Sequence, residues 1–329
     1  MNIVFLRGRV PPKNEHPEKL IYSSIENCED MWTQLFFLLL KNTGSDGELI
    51  YDGGNRVFKY TKFFTERWVP SIKKHILKST PDLIIARGGF DFYEKFISRH
   101  KLSKKIYYGA GKRFYPKEGY FSGYDLFLVD SNKQFKKISN LNKKVGLFIK
   151  PASSIFRHID NCPKKYDICF IANASQKIIK RHDLLLKSFA GSGYKILSIG
   201  NTDPDLIRKA RRLNVDIEWG GWMSRSNMVE KINQCKVGIC CSSGYDSCPR
   251  VIPEYLSCGI PVVVTESVNF WKSKYITTET GVVVRDDKIL EGSRYCLSKK
   301  LLPLDYYSKE LSIDRAVSLL SGYIDEINI

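Results

Sequence analysis

At 329 residues, with 43% hydrophobic content, five Trp, 18 Tyr and 18 Phe, the chain carries enough apolar material for packed cores, which excludes wholesale disorder. The length predicts two domains of about 150 residues each rather than one core. The net charge of +17 is uneven: residues 1–150 hold 27 Lys+Arg against 15 Asp+Glu, and residues 151–329 hold 25 against 20. A basic first half suits nucleic acid, anionic lipid or a phosphorylated substrate, or is simply a solvated lysine-rich surface.

In chain order, short apolar runs at 3–6, 83–86, 105–108, 126–129 and 145–149 predict buried strands, and 29–41, 67–78, 91–100 and 132–140 predict helices. The second half alternates more regularly. Strands are predicted at 167–172, 195–199, 215–219, 237–241, 261–265 and 282–284, with helices at 180–190, 204–213, 224–234 and 250–258. Residues 305–326 carry apolar side chains at helical spacing, from Leu311 through Ala316, Leu319, Leu320 and Tyr323 to Ile324. Strands alternating with helices imply right-handed crossovers, and continuously apolar strands imply parallel sheets covered on both faces. The predicted fold class is therefore α/β, with two doubly wound parallel-sheet domains facing a cleft. The domains expected are 1–160 and 161–304, with a C-terminal helix, 305–329, that has room to cap either domain, packing back on the first being one of the two placements.

Nine cysteines stand at 28, 162, 169, 235, 240, 241, 248, 258 and 296, with no CxxC pair and no zinc spacing. Several lie inside apolar runs and read as buried free thiols of a reducing compartment. The N-terminal apolar run is only four residues, so no signal peptide is expected. The run LFFLLL at 35–40 falls far short of the roughly 20 residues that span a bilayer. A cytoplasmic protein is expected, with room for peripheral contact with an anionic membrane through the basic first half.

In open α/β sheets, ligands bind beyond the carboxyl ends of the strands, where helix N-termini point. That rule selects Arg7-Gly8, Arg87-Gly88-Gly89, 109–113, Asp130-Ser131, 173–180, Gly200-Asn201, 220–223 and 242–250. The last of these is the most informative. Residues 237–265 read VGICCSSGYDSCPRVIPEYLSCGIPVVVT: a buried strand, a polar loop, a helix stopped by Gly259 and Pro261, and a β-branched strand. Pro249 suits a helix entry because the first turn leaves its amides unpaired. The loop amides and helix dipole favour anionic or hydroxyl-rich groups, and Glu254, near the helix start, can accept two vicinal hydroxyls such as those of a ribose. The alternative makes Glu254 a helix-dipole charge and Asp246 an N-cap.

The run from Asp246, DSCPRVIPEYLSCGIPVVVT, resembles the E-x7-E motif of retaining GT-B glycosyltransferases of glycosyltransferase family 4, with Asp246 first and Glu254 second. The resemblance continues in register over roughly 166–290. FIANASQKIIKRHDLLLKSF at 170–189 resembles the family's strand, Gly-Arg and Lys-Gly-x-x-x-Leu segment; IEWGGWMS at 217–224 resembles its F-x-G-x-V-S turn; and 280–284 resembles a late Gly-Leu-Leu-Val strand. The resemblance implies a glycosyltransferase moving a hexosyl or pentosyl unit from a UDP- or GDP-sugar to a glycan, lipid-linked or protein acceptor. It also implies retention of configuration, no metal and no other cofactor.

It further implies roles. Glu254 holds the donor ribose. Asp246 and the amides of Ser247, Cys248, Pro249 and Arg250 face the donor sugar, although Pro249 itself has no N–H. Lys180 neutralises the diphosphate, Gly200 ends a strand beside it, and Trp222 and Met223 lie beside the base. Three departures stand out. Asn173 replaces the family's Arg, so a second phosphate cation must come from Arg181, Arg250, or Arg7 or Arg9 across the cleft, with Gly8 at the same turn. Asp246 is one methylene shorter than Glu. The run 106–111 lacks the family's His, and Arg87 is the expected substitute. Asp246, Lys180 and Arg87 are thus the expected catalytic set.

Three other readings compete: a nucleotide-binding but catalytically degenerate GT-B protein, a GT-B sugar-nucleotide epimerase, and a basic nucleic-acid-binding α/β protein. The stretch 91–120, with eight Lys/Arg among Tyr93, Tyr107, Tyr108, Tyr115 and Tyr120, suits nucleic acid, a membrane surface or a sugar acceptor. A nucleic-acid partner is the less favoured reading. His158 and His182 are expected on the surface or between domains.

Overall fold

The computed structural model of the chain describes residues 1–7, 28, 30–88, 90–109, 123–141, 143–246 and 248–327. The chain divides into two compact units, Met1–Ile149 with Ile313–Ile329, and Lys150–Ser312.

The first unit opens with β1 (Asn2–Arg7), α1 (Met31–Thr43), β2 (Asp46–Asp52), β3 (Arg56–Lys59), β4 (Phe64–Val69) and β5 (Leu83–Arg87). It continues with α2 (Phe90–Ile97), β6 (Lys104–Gly109), β7 (Leu126–Val129), α3 (Asn132–Ser139) and β8 (Val145–Leu147). Local sequence explains the helix limits. Asp30 caps α1 by accepting from the Thr33 amide at 3.0 Å, and Gly44 closes it in the left-handed conformation (φ 62°). The strands form one eight-stranded sheet in the order β3-β4-β2-β1-β5-β6-β7-β8, parallel except for β3 against β4. Its central strands are buried on both faces, which is why they read as unbroken apolar runs.

The second unit contains β9 (Tyr166–Ile171), α4 (Lys177–Lys180), α5 (His182–Ser188), β10 (Ile196–Ile199), α6 (Pro204–Arg212), β11 (Ile217–Gly221) and α7 (Arg225–Asn233). After these come β12 (Cys235–Cys240), α8 (Val251–Ser257), β13 (Val262–Thr265), α9 (Lys272–Tyr275), β14 (Gly281–Val284), α10 (Ile289–Ser298) and α11 (Pro303–Tyr306). Six parallel strands run in the order β11-β10-β9-β12-β13-β14. The order reverses between β9 and β12, the point where such sheets open a ligand crevice.

The chain then returns to the first unit as α12 (Ile313–Glu326). Ala316, Val317, Leu320 and Ile324 of α12 join Met31, Leu35 and Leu39 of α1 in the cluster that covers one face of the first sheet, while Tyr93, Phe96 and Ile138 cover the other. The Tyr323 hydroxyl donates to the Leu147 carbonyl at 2.9 Å, tying α12 to β8.

Several expectations change. Residues 67–78 are not a helix: the segment finishes β4, whose alternating burial marks a half-covered strand, and then turns. The first boundary falls at Ile149, earlier than 160, because the linking stretch belongs to the second unit. There the Ala152 amide donates to the Tyr307 hydroxyl at 3.1 Å and the Ile159 amide to Asn233 Oδ1 at 2.8 Å. The helix expected at 180–190 is α5, which starts only after Arg181 (φ +58°), so Lys180 ends the preceding short helix α4 instead of opening this one. Tyr93, Tyr107 and Tyr108 are core residues and do not form a basic aromatic surface; Tyr115 and Tyr120 lie outside the described residues. Among the described residues, no helix is long and apolar enough to cross a membrane.

Candidate functional site

In the second unit the loops after β9, β10, β11 and β12 carry most of the residues singled out from sequence. The β9 and β10 loops are laced together. The Asn201 amide donates to Asn173 Oδ1 at 3.1 Å, and the Ala174 amide donates to the Asn201 carbonyl at 2.8 Å. Gly200 makes this approach possible. Its φ is +131°, and a Cβ there would stand 2.2 Å from the Ala172 carbonyl oxygen, so no other residue fits. The Asn173 side chain is thus a clamp between loops.

Lys180 ends α4, and its Nζ lies 2.6 Å from Asp246 Oδ2, with each side chain 18% exposed. An ammonium has three N–H donors, so this bond leaves two for another anion. The two loops also join through the backbone, as the Ser243 amide donates to the Ile179 carbonyl at 2.7 Å. The next residue points elsewhere. Arg181 makes a bidentate contact with Asp286 and reaches Ser267 Oγ at 2.8 Å, and the Asp286 hydrogen bonds raise its pKa further.

Beyond Asp246 the chain enters α8. Ser247 lies outside the described residues. Cys248 takes a left-handed conformation (φ +44°), with its amide donating to the Asn269 carbonyl at 3.1 Å. Pro249 is buried and Arg250, at the start of α8, is exposed. Pro253 costs no hydrogen bond because it lies in the first turn. Glu254 is 7% exposed, and among the described residues none donates to its carboxylate. Tyr255 fixes the helix. Its hydroxyl donates to the Cys169 carbonyl at 3.2 Å and accepts from the Ile171 amide at 3.0 Å, and its ring occupies the space that a Cβ on Gly238 would fill. The Glu254 carboxylate oxygens are not sealed from solvent, so they are open acceptors at the start of α8 for a ligand that brings donors.

Two residues missed from sequence support this loop. Lys150 is buried, and its Nζ donates to the Cys248 carbonyl at 3.0 Å. The fully buried Tyr275 hydroxyl accepts from the Lys150 amide at 2.6 Å and donates to its carbonyl at 3.0 Å. The one signal for Lys150 in the sequence is its place in the apolar stretch LFIKPA. His182 was expected on the surface or between domains and is instead interior. Its ring donates to the Ala172 carbonyl and packs edge-on to Phe170, while Nδ1 has no partner; burial lowers its pKa. His158 is half-exposed and bonded to the Cys258 carbonyl at 3.2 Å.

Trp222 is 71% exposed beyond β11, and the Met223 side chain packs over Gly220. The cysteines near the loops are unreactive: burial pushes the Cys240 thiol up to about 11 and that of Cys258 up to about 12. Among the described residues, no three His, Cys, Asp or Glu side chains converge to hold a metal. Arg7 and Arg87 lie in the first unit at the ends of β1 and β5, and Gly8, like Arg9, lies outside the described residues.

Residues 154–300 match the family model described as Glycosyl transferases group 1, a span that holds Lys180, Asp246 and Glu254. A comparison with curated proteins finds no match. Solved structures share the architecture over nearly the whole chain. Sucrose-phosphate synthase from Thermosynechococcus elongatus is 10% identical, with a TM-score of 0.71 and coverage of 99% of this chain and 98% of that one. The apo form of the lipopolysaccharide outer core galactosyltransferase WaaB is 13% identical, with a TM-score of 0.72 and 99% of each chain covered. Anabaena HepE in complex with UDP and glucose is 10% identical, with a TM-score of 0.66 and coverage of 99% and 100%. At these identities the likeness carries the fold: two parallel-sheet α/β domains of the GT-B glycosyltransferase type.

Proposed function

We propose that the chain is a glycosyltransferase that moves a sugar from a nucleoside diphosphate-sugar to a glycan or lipid-linked acceptor, retaining configuration and using no metal. The observation that carries this reading is Glu254, a buried carboxylate without a described donor on the first turn of α8, eight residues after an Asp246 that faces Lys180. A ribose supplies the two hydroxyl donors that such a carboxylate lacks. The matched family span and a neighbour described in complex with UDP support the nucleotide.

In this mechanism the bond between the sugar's anomeric carbon and the diphosphate oxygen breaks, and one to the acceptor oxygen forms on the same face. The acceptor's proton passes to the departing phosphate oxygen. Lys180 offsets the charge that grows there, and the amides around Cys248 orient the sugar. Positioning and electrostatics carry the rate, so the loop's rigid supports matter as much as its side chains. The basic first half adds a peripheral contact with an anionic membrane to the reading.

One observation favours a second reading, nucleotide binding without turnover. Asn173 stands where the family resemblance places Arg and is engaged with Asn201, while Arg181 is engaged with Asp286. Incubation with a panel of UDP- and GDP-sugars separates the two, because slow hydrolysis needs no acceptor. Release of sugar from one donor, unaffected by EDTA, supports the transferase. Saturable stabilisation by UDP or GDP without release from any donor supports the binding protein; at 100-fold excess over Kd such stabilisation amounts to about 2.7 kcal/mol. The absence of both would sink the nucleotide site altogether.

A further inference from the structure

Strands β1 and β5 are adjacent and parallel, and their last residues, Arg7 and Arg87, stand side by side in register. Neighbouring strands lie about 4.8 Å apart, so two cations meet at one point on the carboxyl edge of the first sheet. Their surroundings differ. Arg7 is matched locally: Nη1 contacts Asp30 Oδ2 and donates to the Tyr51 hydroxyl at 2.8 Å, and the guanidinium lies over the Tyr51 ring.

Arg87 is not matched. Its guanidinium lies 4.7 Å from the centre of the Trp32 ring, its Nε is buried without a hydrogen bond, and among the described residues it has no carboxylate partner. The acids nearby are engaged elsewhere. Asp30 accepts from Thr33 Oγ1 at 2.9 Å as well as from Arg7, Asp130 accepts from the Tyr108 hydroxyl at 3.1 Å, and Glu66 accepts from Trp68 Nε1 at 2.8 Å. A guanidinium cannot shed its charge by deprotonation, so burying one unpaired carries a cost that a bound anion removes. Burial and the neighbouring charge of Arg7 both press its pKa below the usual arginine value, in keeping with that missing anion. The planar fork of N–H donors fits two oxygens of a phosphate, and the Trp32 face sets the plane in which it can approach.

We propose that the carboxyl edge of β1 and β5 is an anion subsite in which Arg87 receives a phosphate-type group, with Arg7 as the fixed second cation. The identification of that group as phosphate rests on the sugar-transfer reading above; the anion subsite does not. Two sources share the chemistry, namely the donor's diphosphate and a phosphate carried by the acceptor.

The test titrates the full chain with inorganic phosphate, alone and after saturation with UDP, and compares wild type with Arg87→Met and Arg87→Lys. Circular dichroism establishes that each variant is folded, and the lysine variant keeps the charge without the fork. The proposal expects Arg87→Met to weaken phosphate binding at least tenfold, with Arg87→Lys intermediate. If UDP blocks phosphate and Arg87→Met also weakens UDP tenfold, the group is the donor's. If phosphate still binds the UDP-saturated chain in an Arg87-dependent way, and UDP affinity changes less than twofold, it belongs to the acceptor. Phosphate and UDP affinities unchanged in folded Arg87→Met overturn the subsite. Arg87-dependent phosphate binding in a chain that ignores both UDP and GDP upholds the subsite and refutes the donor reading instead.

Discussion

Lys150 Nζ donates to the carbonyl oxygen of Cys248 across 3.0 Å, and this bond holds the left-handed turn that leads into α8. The cation is only 6% exposed, so the bond forms where water does not compete. Replacing Lys150 with Met keeps the volume and removes the donor. The expected cost is about 1–3 kcal/mol in denaturant unfolding, the range for leaving a buried acceptor unpaired. The loop it releases carries the proposed sugar contacts, so turnover of the donor should fall by more than the stability loss explains at temperatures where the variant is folded. Wild-type stability and turnover in the folded variant would show that the Lys150 bond does not hold the turn.

Glu254→Gln separates binding from folding. The wild-type carboxylate accepts no described hydrogen bond, and its helix-dipole interaction is worth at most about 1 kcal/mol, so unfolding free energy should stay within about 1 kcal/mol of wild type. Stabilisation by UDP or GDP should fall at the same time, because a neutral amide is a weaker acceptor for ribose hydroxyls. Calorimetric titration checks the binding; a variant that binds as wild type does removes Glu254 from the site.

Lys180 and Arg181 are adjacent cations with opposite expectations. Lys180→Ala leaves Asp246 unpaired and takes away the proposed phosphate charge, so turnover should drop at least about 100-fold, while stability falls by about 1–2 kcal/mol because the pair is only 18% exposed on each side. Arg181→Ala breaks the contact with Asp286 and Ser267, which costs about 1 kcal/mol of stability after allowing for the exposure of Asp286. Donor affinity should change little in Arg181→Ala. Kinetics and denaturation on the same two preparations distinguish the roles, and a reversed pattern would exchange them.

Gly200→Ala probes the lacing of the β9 and β10 loops. A methyl 2.2 Å from the Ala172 carbonyl, on a residue at φ +131°, forces the strand ends apart. The expected destabilisation is about 2–3 kcal/mol, more than an ordinary glycine substitution produces. Thermal unfolding of the variant measures it.

The pH dependence of stability should carry the imprint of His182. Burial lowers its folded pKa from the ordinary 6.5, so the folded state resists its protonation. Above pH 6.5 the ring is neutral in both states and the full stability is present. As pH falls from about 6.5 towards the lowered folded value, the unfolded chain takes up the proton first and stability declines, by at most about 1.4 kcal/mol per pH unit for one proton. His182→Gln, which can still donate to the Ala172 carbonyl, should flatten that decline. His75 and His100 are lowered in the same direction and leave a smaller residual slope. Denaturation midpoints at pH 5, 6 and 7 decide the matter.

Much of the second unit was legible in the sequence, for a physical reason. Strands buried on both faces must be apolar throughout, and 166–171 or 262–265 therefore stand out against polar loops and helix-period segments. The placement of Asp246 on a loop and of Glu254 on the helix that follows was equally visible, since both lie within one short stretch of chain. The margin of the first sheet was not. β3 is exposed on nearly every residue and β4 alternates Phe64, Glu66 and Trp68 inward with polar residues between, so neither reads as a buried run, and the helical spacing of 67–78 overlaps the end of β4.

The supports of the site were invisible because they join distant residues: Lys150 meets Tyr275 across 125 positions and Cys248 across 98. Arg7 and Arg87 likewise become neighbours only when β1 pairs with β5. The sequence by itself determined which loops carry the polar chemistry, because local periodicity decides where strands end. Tertiary structure alone decided which of those polar groups find partners inside the protein. Asn173 and Arg181 do, while the carboxylate of Glu254 and the guanidinium of Arg87 accept or donate no hydrogen bond among the described residues.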